Sequence, residues 1–225
     1  LFGSPFFWIT TILPRSWVTF SIPILLCIKH GVAALTAYAY IRRFVQNSNA
    51  AIVGGLLYAF SGFQLFNLFF NHFQDVTAFF PLLLIAMEEC VNRNRRGVFA
   101  LAVALLATLN YFFFTGQVVF LVLYFIVRCF SRDFHASLRK FFVLLFEAIL
   151  GVAIACAVLL PAALAVFAND RVSEHLYGMD MMAYSDRTRI WRILLSLFLI
   201  PDVPARPNLF SSNAAKWASI GGYLP

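Results

Sequence analysis

Long apolar blocks alternate along this chain with short polar or basic stretches. A helix that crosses about 30 Å of hydrocarbon needs roughly 20 residues, and the blocks at 18–41 and 50–70 reach that length. The first stops at Arg42-Arg43. The second carries Ala51, Gly55, Ala59 and Gly62 at i, i+4, i+8 and i+11, which places small residues on one helical face where a neighbour approaches closely. A polar break, Asn71-His72-Phe73-Gln74-Asp75, opens the third block at 73–89, which leads into Asn92-Arg93-Asn94-Arg95-Arg96.

The next apolar stretch, 98–127, is thirty residues long. As one helix it would measure about 45 Å, too long to span without severe tilt. Its middle is interrupted by Asn110-Tyr111 and Thr115-Gly116, so it divides into two short spans at 98–113 and 115–128. A sixth span, 141–168, carries Pro161 near its far end. Residues 1–168 are thus expected to form an all-α, polytopic transmembrane bundle of about six helices. Residues 169–225 form a loop region, in which the apolar stretch 190–200 is too short to span. With Trp191 and Arg192 at its start, that stretch reads as a helix lying in the interface. The final Ile220-Gly221-Gly222-Tyr223-Leu224-Pro225 looks like the lead-in to a further span. The chain opens Leu1-Phe2-Gly3-Ser4 without an initiator Met or a recognisable signal peptide, and we expect it to be cut from a longer polypeptide.

Composition names the solvent. Of 225 residues, 62% are hydrophobic and 12% charged, with a mean hydropathy of +0.83. A soluble domain carries roughly 25% charged residues to cover its surface, so the surface of this chain faces lipid. The net charge of +7 does not point to nucleic acid, because the basic residues sit in loops between apolar blocks. The loops at 42–49, 92–96 and 128–140 hold nine of the seventeen Lys and Arg residues, and the turns at 71–75 and 110–116 hold none. Dividing 98–127 into two spans puts all three basic loops on one side, which the positive-inside rule makes cytoplasmic. The turn at 71–75 and residues 169–225 then face outside. Cys27, Cys90, Cys129 and Cys156 are spaced 63, 39 and 27 apart, form no CxxC pair, and read as packing residues rather than a metal or disulfide framework. No cofactor motif is present.

Candidate chemistry lies in the few ionisable groups inside or beside the spans. Lys29, with His30, falls near the middle of the first span, where a charge costs at least about 2.5–3.5 kcal/mol on insertion scales and calls for a partner or a water-filled cavity. Glu147, about two turns into the sixth span, is the candidate partner. A structural ion pair or a snorkelling lysine is an equally good account. His72 and Asp75, at i and i+3 in the turn before the third span, can share a face, the carboxylate orienting the imidazole. An ordinary polar turn is the blander alternative. Arg171, with Glu174 and His175, follows the Pro161 helix, where a guanidinium can hold a lipid phosphate. An interfacial Arg is also common without a ligand.

Several segments together resemble the YfhO-type bacterial membrane proteins. They are Gly3-Ser4-Pro5-Phe6-Phe7-Trp8 with Leu13-Pro14, then Gly54-Gly55-Leu56-Leu57-Tyr58-Ala59-Phe60-Ser61-Gly62-Phe63, then His72-Phe73-Gln74-Asp75 with Phe80-Pro81-Leu82-Leu83-Leu84. Leu159-Leu160-Pro161 with Asn169-Asp170-Arg171, and the closing Ile220 to Pro225 segment, complete the series in order. The resemblance implies a GT-C-like fold in the bacterial cytoplasmic membrane and a glycosyltransferase. Such an enzyme moves a sugar from a polyprenyl-phosphate carrier to an envelope polymer of the teichoic-acid kind on the outer side. It also implies a catalytic carboxylate in the first outer loop. No acidic residue precedes Asp75 here, so that carboxylate is expected upstream of Leu1, and this stretch alone is expected to be inactive. His72, Asp75 and Arg171 are then the substrate-binding candidates, with no metal and no cofactor. Membrane lipid, the lipid-linked donor and the polymer acceptor are the partners. An ion-coupled transporter or lipid flippase using Lys29 and Glu147, or a non-catalytic membrane scaffold, would also fit the composition.

Overall fold

The computed structural model describes residues 3–167 and Trp191. Apart from Trp191, the predicted interfacial helix at 190–200 lies outside the described residues, as do Arg171 and the expected lead-in to a further span. Within them the chain is all helical: α1 (Pro5–Ile12), α2 (Arg15–Ile41), α3 (Ser48–Ala59), α4 (Gly62–Phe66) with a 3₁₀ turn (Asn67–Phe69), α5 (Asn71–Arg93), α6 (Val98–Leu109), α7 (Tyr111–Cys129) and α8 (Leu138–Phe167). Three of these are long and apolar enough to cross a membrane, over Arg15–Ile41, Tyr111–Cys129 and Leu138–Ala165, and Val98–Leu109 is a shorter apolar helix.

Local chemistry explains where the helices break. Asn110 ends α6 and begins α7, and its side-chain carbonyl accepts from the Phe112 and Phe113 amides at 3.1 and 3.4 Å. The polar interruption read from sequence is therefore a helix cap, with Tyr111 already in the first turn of α7 and Thr115-Gly116 inside it. Asn47 caps α3 in the same way. The segment expected as one span at 50–70 is instead broken at Phe60-Ser61 into α3, α4 and the 3₁₀ turn. Between α5 and α6 the chain turns through Asn94 and Gly97, both in the left-handed region at φ 52° and 80°, where a glycine carries no Cβ penalty.

The small-residue face on α3 does what its spacing implies. Ala51 and Ala59 are fully buried, and a Cβ on Gly55 would lie 2.8 Å from the Ala34 carbonyl oxygen of α2. A second close approach joins α8 to α6, where a Cβ on Gly151 would meet the Ala100 carbonyl at 2.5 Å. These contacts bring backbones together without the hydrophobic driving force that operates in water.

Helix α5 forms the axis of the bundle and packs on α2, α6 and α8. It runs parallel to α2, since Lys29, Thr36 and Arg43 meet Asp75, Ala78 and Glu89 in the same order. Pro81 in α5 cannot donate to the Thr77 carbonyl one turn earlier. The Tyr58 hydroxyl of α3 donates to that oxygen instead, at 2.8 Å. The main apolar core, which includes Leu83, Met87, Val91, Val103 and Leu106, fills the space around α5 and α6.

Candidate functional site

The three basic loops share one end of the bundle. There the Arg43 guanidinium, in the turn just after α2, donates to Glu89 of α5, which also meets Arg93 and Arg95. The neighbouring Glu88 accepts from Arg128 Nε at 2.6 Å, from the Tyr124 hydroxyl at 2.7 Å and from Asn92 Nδ2 at 2.9 Å. Tyr40 donates on to Tyr124 at 2.8 Å. Both carboxylates are almost fully buried. Sequence reasoning passed over this pair, because Glu-Glu beside an Arg-rich loop looks like the solvated rim of that loop. The signal available was two adjacent acids at the end of an apolar helix facing nine basic residues in nearby loops.

The opposite end holds the candidate site. Lys29 Nζ lies 2.6 Å from Asp75 Oδ1, with both side chains about 5% exposed, and donates to the Asn71 side-chain and backbone oxygens at 2.5 and 3.0 Å. Lys29 also sits 5.3 Å from the centre of the Phe6 ring. His30, beside it in sequence, is already satisfied. Its Nδ1 lies 3.0 Å from the Leu26 carbonyl and its ring packs on Phe60.

This arrangement corrects the expected pairing of Lys29 with Glu147. Glu147 belongs to another region, where its two oxygens accept from the Gly97 and Ala100 amides at 3.0 and 3.3 Å. The first turn of a helix presents amides with no intrahelical partner and a partial positive charge, and a carboxylate satisfies both demands. Glu147 is thus the cap of α6, supplied by α8, and Lys29 takes the acid that α5 places next to it. The parallel register of α2 and α5 decides the matter.

His72 and Asp75 share the first turns of α5 but face different surroundings. Asp75 is buried against Lys29, while the His72 ring is exposed and contacts Phe70 and Phe73. The imidazole is therefore free of the carboxylate expected to orient it, and it stands between two cavities. One, about 310 Å³, is lined by Ser4, Thr10, Lys29, Asn71, His72 and Asp75 among its polar members. The other, about 720 Å³, runs from His72 past Thr108, Asn110 and Tyr111 to Pro161 of α8. The turn at 71–75, the α6–α7 break and the Pro161 region therefore converge. Arg171, the third substrate-binding candidate, lies outside the described residues.

The depth of the site differs from the surface turn read from sequence. Lys29 stands fourteen residues into α2 (29 − 15), about 21 Å along the helix axis. Helix α5 begins beside it, so α2 overhangs the pocket by several turns, with Trp17, Phe20 and Ile24 exposed on the overhang. The polar cluster is recessed below the start of α2.

A bundle of apolar helices with exposed Phe, Leu and Ile side chains along their faces, and with the ion pairs among the described residues gathered at the two ends of a central helix, is a helical membrane protein. A family model described as "Bacterial membrane protein YfhO" matches residues 1–188, and the chain belongs to that family. Comparison with curated proteins and with solved structures gives no match.

Proposed function

We propose that the full-length protein is a membrane glycosyltransferase that moves a sugar from a polyprenyl-phosphate carrier to a cell-envelope polymer, with the recessed pocket around His72 as part of its substrate site. The observation that carries this reading is the convergence of two cavities on one exposed imidazole, beside a buried Lys29–Asp75 pair. A sugar needs several hydrogen-bonding groups at fixed positions, and Asn71, His72, Thr108, Asn110 and Tyr111 line the cavities. A phosphate needs a cation or a strong donor nearby, and the exposed His72 ring can supply the donor. A lipid-linked donor needs an approach from the bilayer, and a pocket overhung by apolar helix faces suits one.

Within this reading the chain's own residues bind and position. Lys29 pairs with Asp75 at a depth where a lone charge would be costly. The pair fixes the first turn of α5, which sets the direction of His72. His72 then hydrogen-bonds the sugar or its phosphate. The base that removes the proton from the acceptor hydroxyl is the first-loop carboxylate implied by the family resemblance, not Asp75, whose charge is committed to Lys29. By the positive-inside rule the basic end faces the cytoplasm of the bacterial cell and the His72 end faces out. An ion-coupled transporter rested on a Lys29–Glu147 couple that the geometry does not form.

His72→Ala tests the reading. In membranes containing the full-length protein, a polyprenyl-phosphate sugar and the polymer acceptor, transfer should fall by about tenfold or more, the loss of one hydrogen bond to a charged group. The amount of folded protein should stay level, since the ring is exposed. Unchanged transfer, or no transfer by the wild type, would overturn it.

A further inference from the structure

We infer that the basic end carries a binding site for an anionic phospholipid, formed by Arg96 and Arg139 over the exposed apolar face of α8. A cavity of about 560 Å³ lies there, walled by Phe142, Val143, Phe146 and Leu150 and bordered by the two arginines and Gly97. Arg139, Phe142, Phe146 and Leu150 fall at i, i+3, i+7 and i+11, so they follow one stripe of the helix. Phe142 and Phe146 are more than 60% exposed, which in a membrane means lipid contact.

The charges decide what occupies the cavity. At this end Arg43, Arg93 and Arg95 are engaged by Glu89, and Arg128 by Glu88. Arg96 and Arg139 have no acidic partner among the described residues. The one carboxylate lining the cavity, Glu147, is buried with its oxygens turned to backbone amides and forms no ion pair with either arginine. Two guanidiniums without an ion-pair partner among the described residues, above a strip of aromatic and aliphatic side chains, match a phosphodiester headgroup with an acyl chain below it. Basic pockets between membrane helices hold anionic headgroups in this manner. A zwitterionic lipid offers the same phosphate but brings its own ammonium, and a free phosphate has nothing to place against Phe142 and Phe146.

Native mass spectrometry of the full-length protein, titrated with phosphatidylglycerol or with phosphatidylcholine of the same acyl chains, tests the site. Phosphatidylglycerol should bind more tightly. Arg96→Gln and Arg139→Gln should each weaken it about fivefold, and the double variant about 25-fold. Arg132→Gln removes the same charge from the neighbouring loop, outside the cavity lining, and should leave binding within about twofold. If the double variant does not fold, the single variants carry the comparison, and Arg139→Lys should retain most of the affinity. Equal affinity for the two lipids, unchanged binding in the arginine variants, the same loss in Arg132→Gln, or displacement of the lipid by inorganic phosphate would each overturn the inference.

Discussion

Asp75 and Glu147 are both buried carboxylates, and different partners meet them. Asp75 faces a single ammonium, while Glu147 faces two amides at the positive end of a helix. Removing one member of a buried ion pair leaves the other uncompensated, at a cost of about 3–5 kcal/mol, whereas replacing both by apolar side chains is often neutral. Asp75→Asn should accordingly lower stability by about that amount in detergent-unfolding measurements, and Lys29→Met with Asp75→Leu should recover most of it. A single variant as stable as the wild type would show that the pair is not desolvated. The two residues were partly legible in the sequence. Lys29 stood out as a charge in an apolar block, but its partner depends on the register of two helices 42 residues or more apart, which local pattern does not encode. Glu147 stood out as the acid inside an apolar block, although its depth lies nearer the basic side. Asp75 instead reads as part of a polar turn, because the overhang of α2 beyond α5 leaves no mark on the apolar pattern.

Among the helices, closeness of approach matters more than apolar bulk. Gly151 seats α8 on the Ala100 carbonyl and the Val103 side chain of α6. Gly151→Leu places atoms where α6 already is and should destabilise the bundle by about 1–3 kcal/mol. A disulfide formed between cysteines introduced across that contact should report the separation as a slower oxidation. An unchanged rate would mean that the helices do not touch there. At this scale the sequence was informative wherever a polar residue caps a helix, as at Asn47 and Asn110, and where small residues repeat at helical spacing, as from Ala51 to Ala59. It was silent at Phe60-Ser61, where α3 ends although the run of small and apolar residues continues to Gly62. The extra helix α1 was hidden too, since eight residues from Pro5 to Ile12 resemble the approach to α2.

The molecule as a whole is polarised along its axis. Arginines paired with Glu88 and Glu89 occupy one end, and a recessed pocket with Lys29, Asp75 and His72 occupies the other. The alternation of basic and uncharged loops made this separation readable before any coordinates, since loops on the same side of a membrane must share an end. The orientation proposed from the positive-inside rule can be checked directly. In a variant without the four native cysteines, Arg132→Cys should react in intact cells only with a membrane-permeant maleimide. Asn110→Cys should also react with an impermeant one, and the reverse pattern would invert the proposed orientation.

The parallel pairing of α2 with α5 carries a consequence for biogenesis. Helix α5 contains Asp75, Glu88 and Glu89 and is not among the three helices apolar enough to cross a membrane on composition alone. As it leaves the translocon it partitions into lipid only if its charges are met. Lys29 on α2 and Arg43 just after it precede α5 in synthesis and are ready to receive Asp75 and Glu89, but the Arg128 that pairs with Glu88 is translated later, at the end of α7. The order of synthesis therefore supplies partners for Asp75 and Glu89 before the axis of the bundle is made, and a partner for Glu88 only after it.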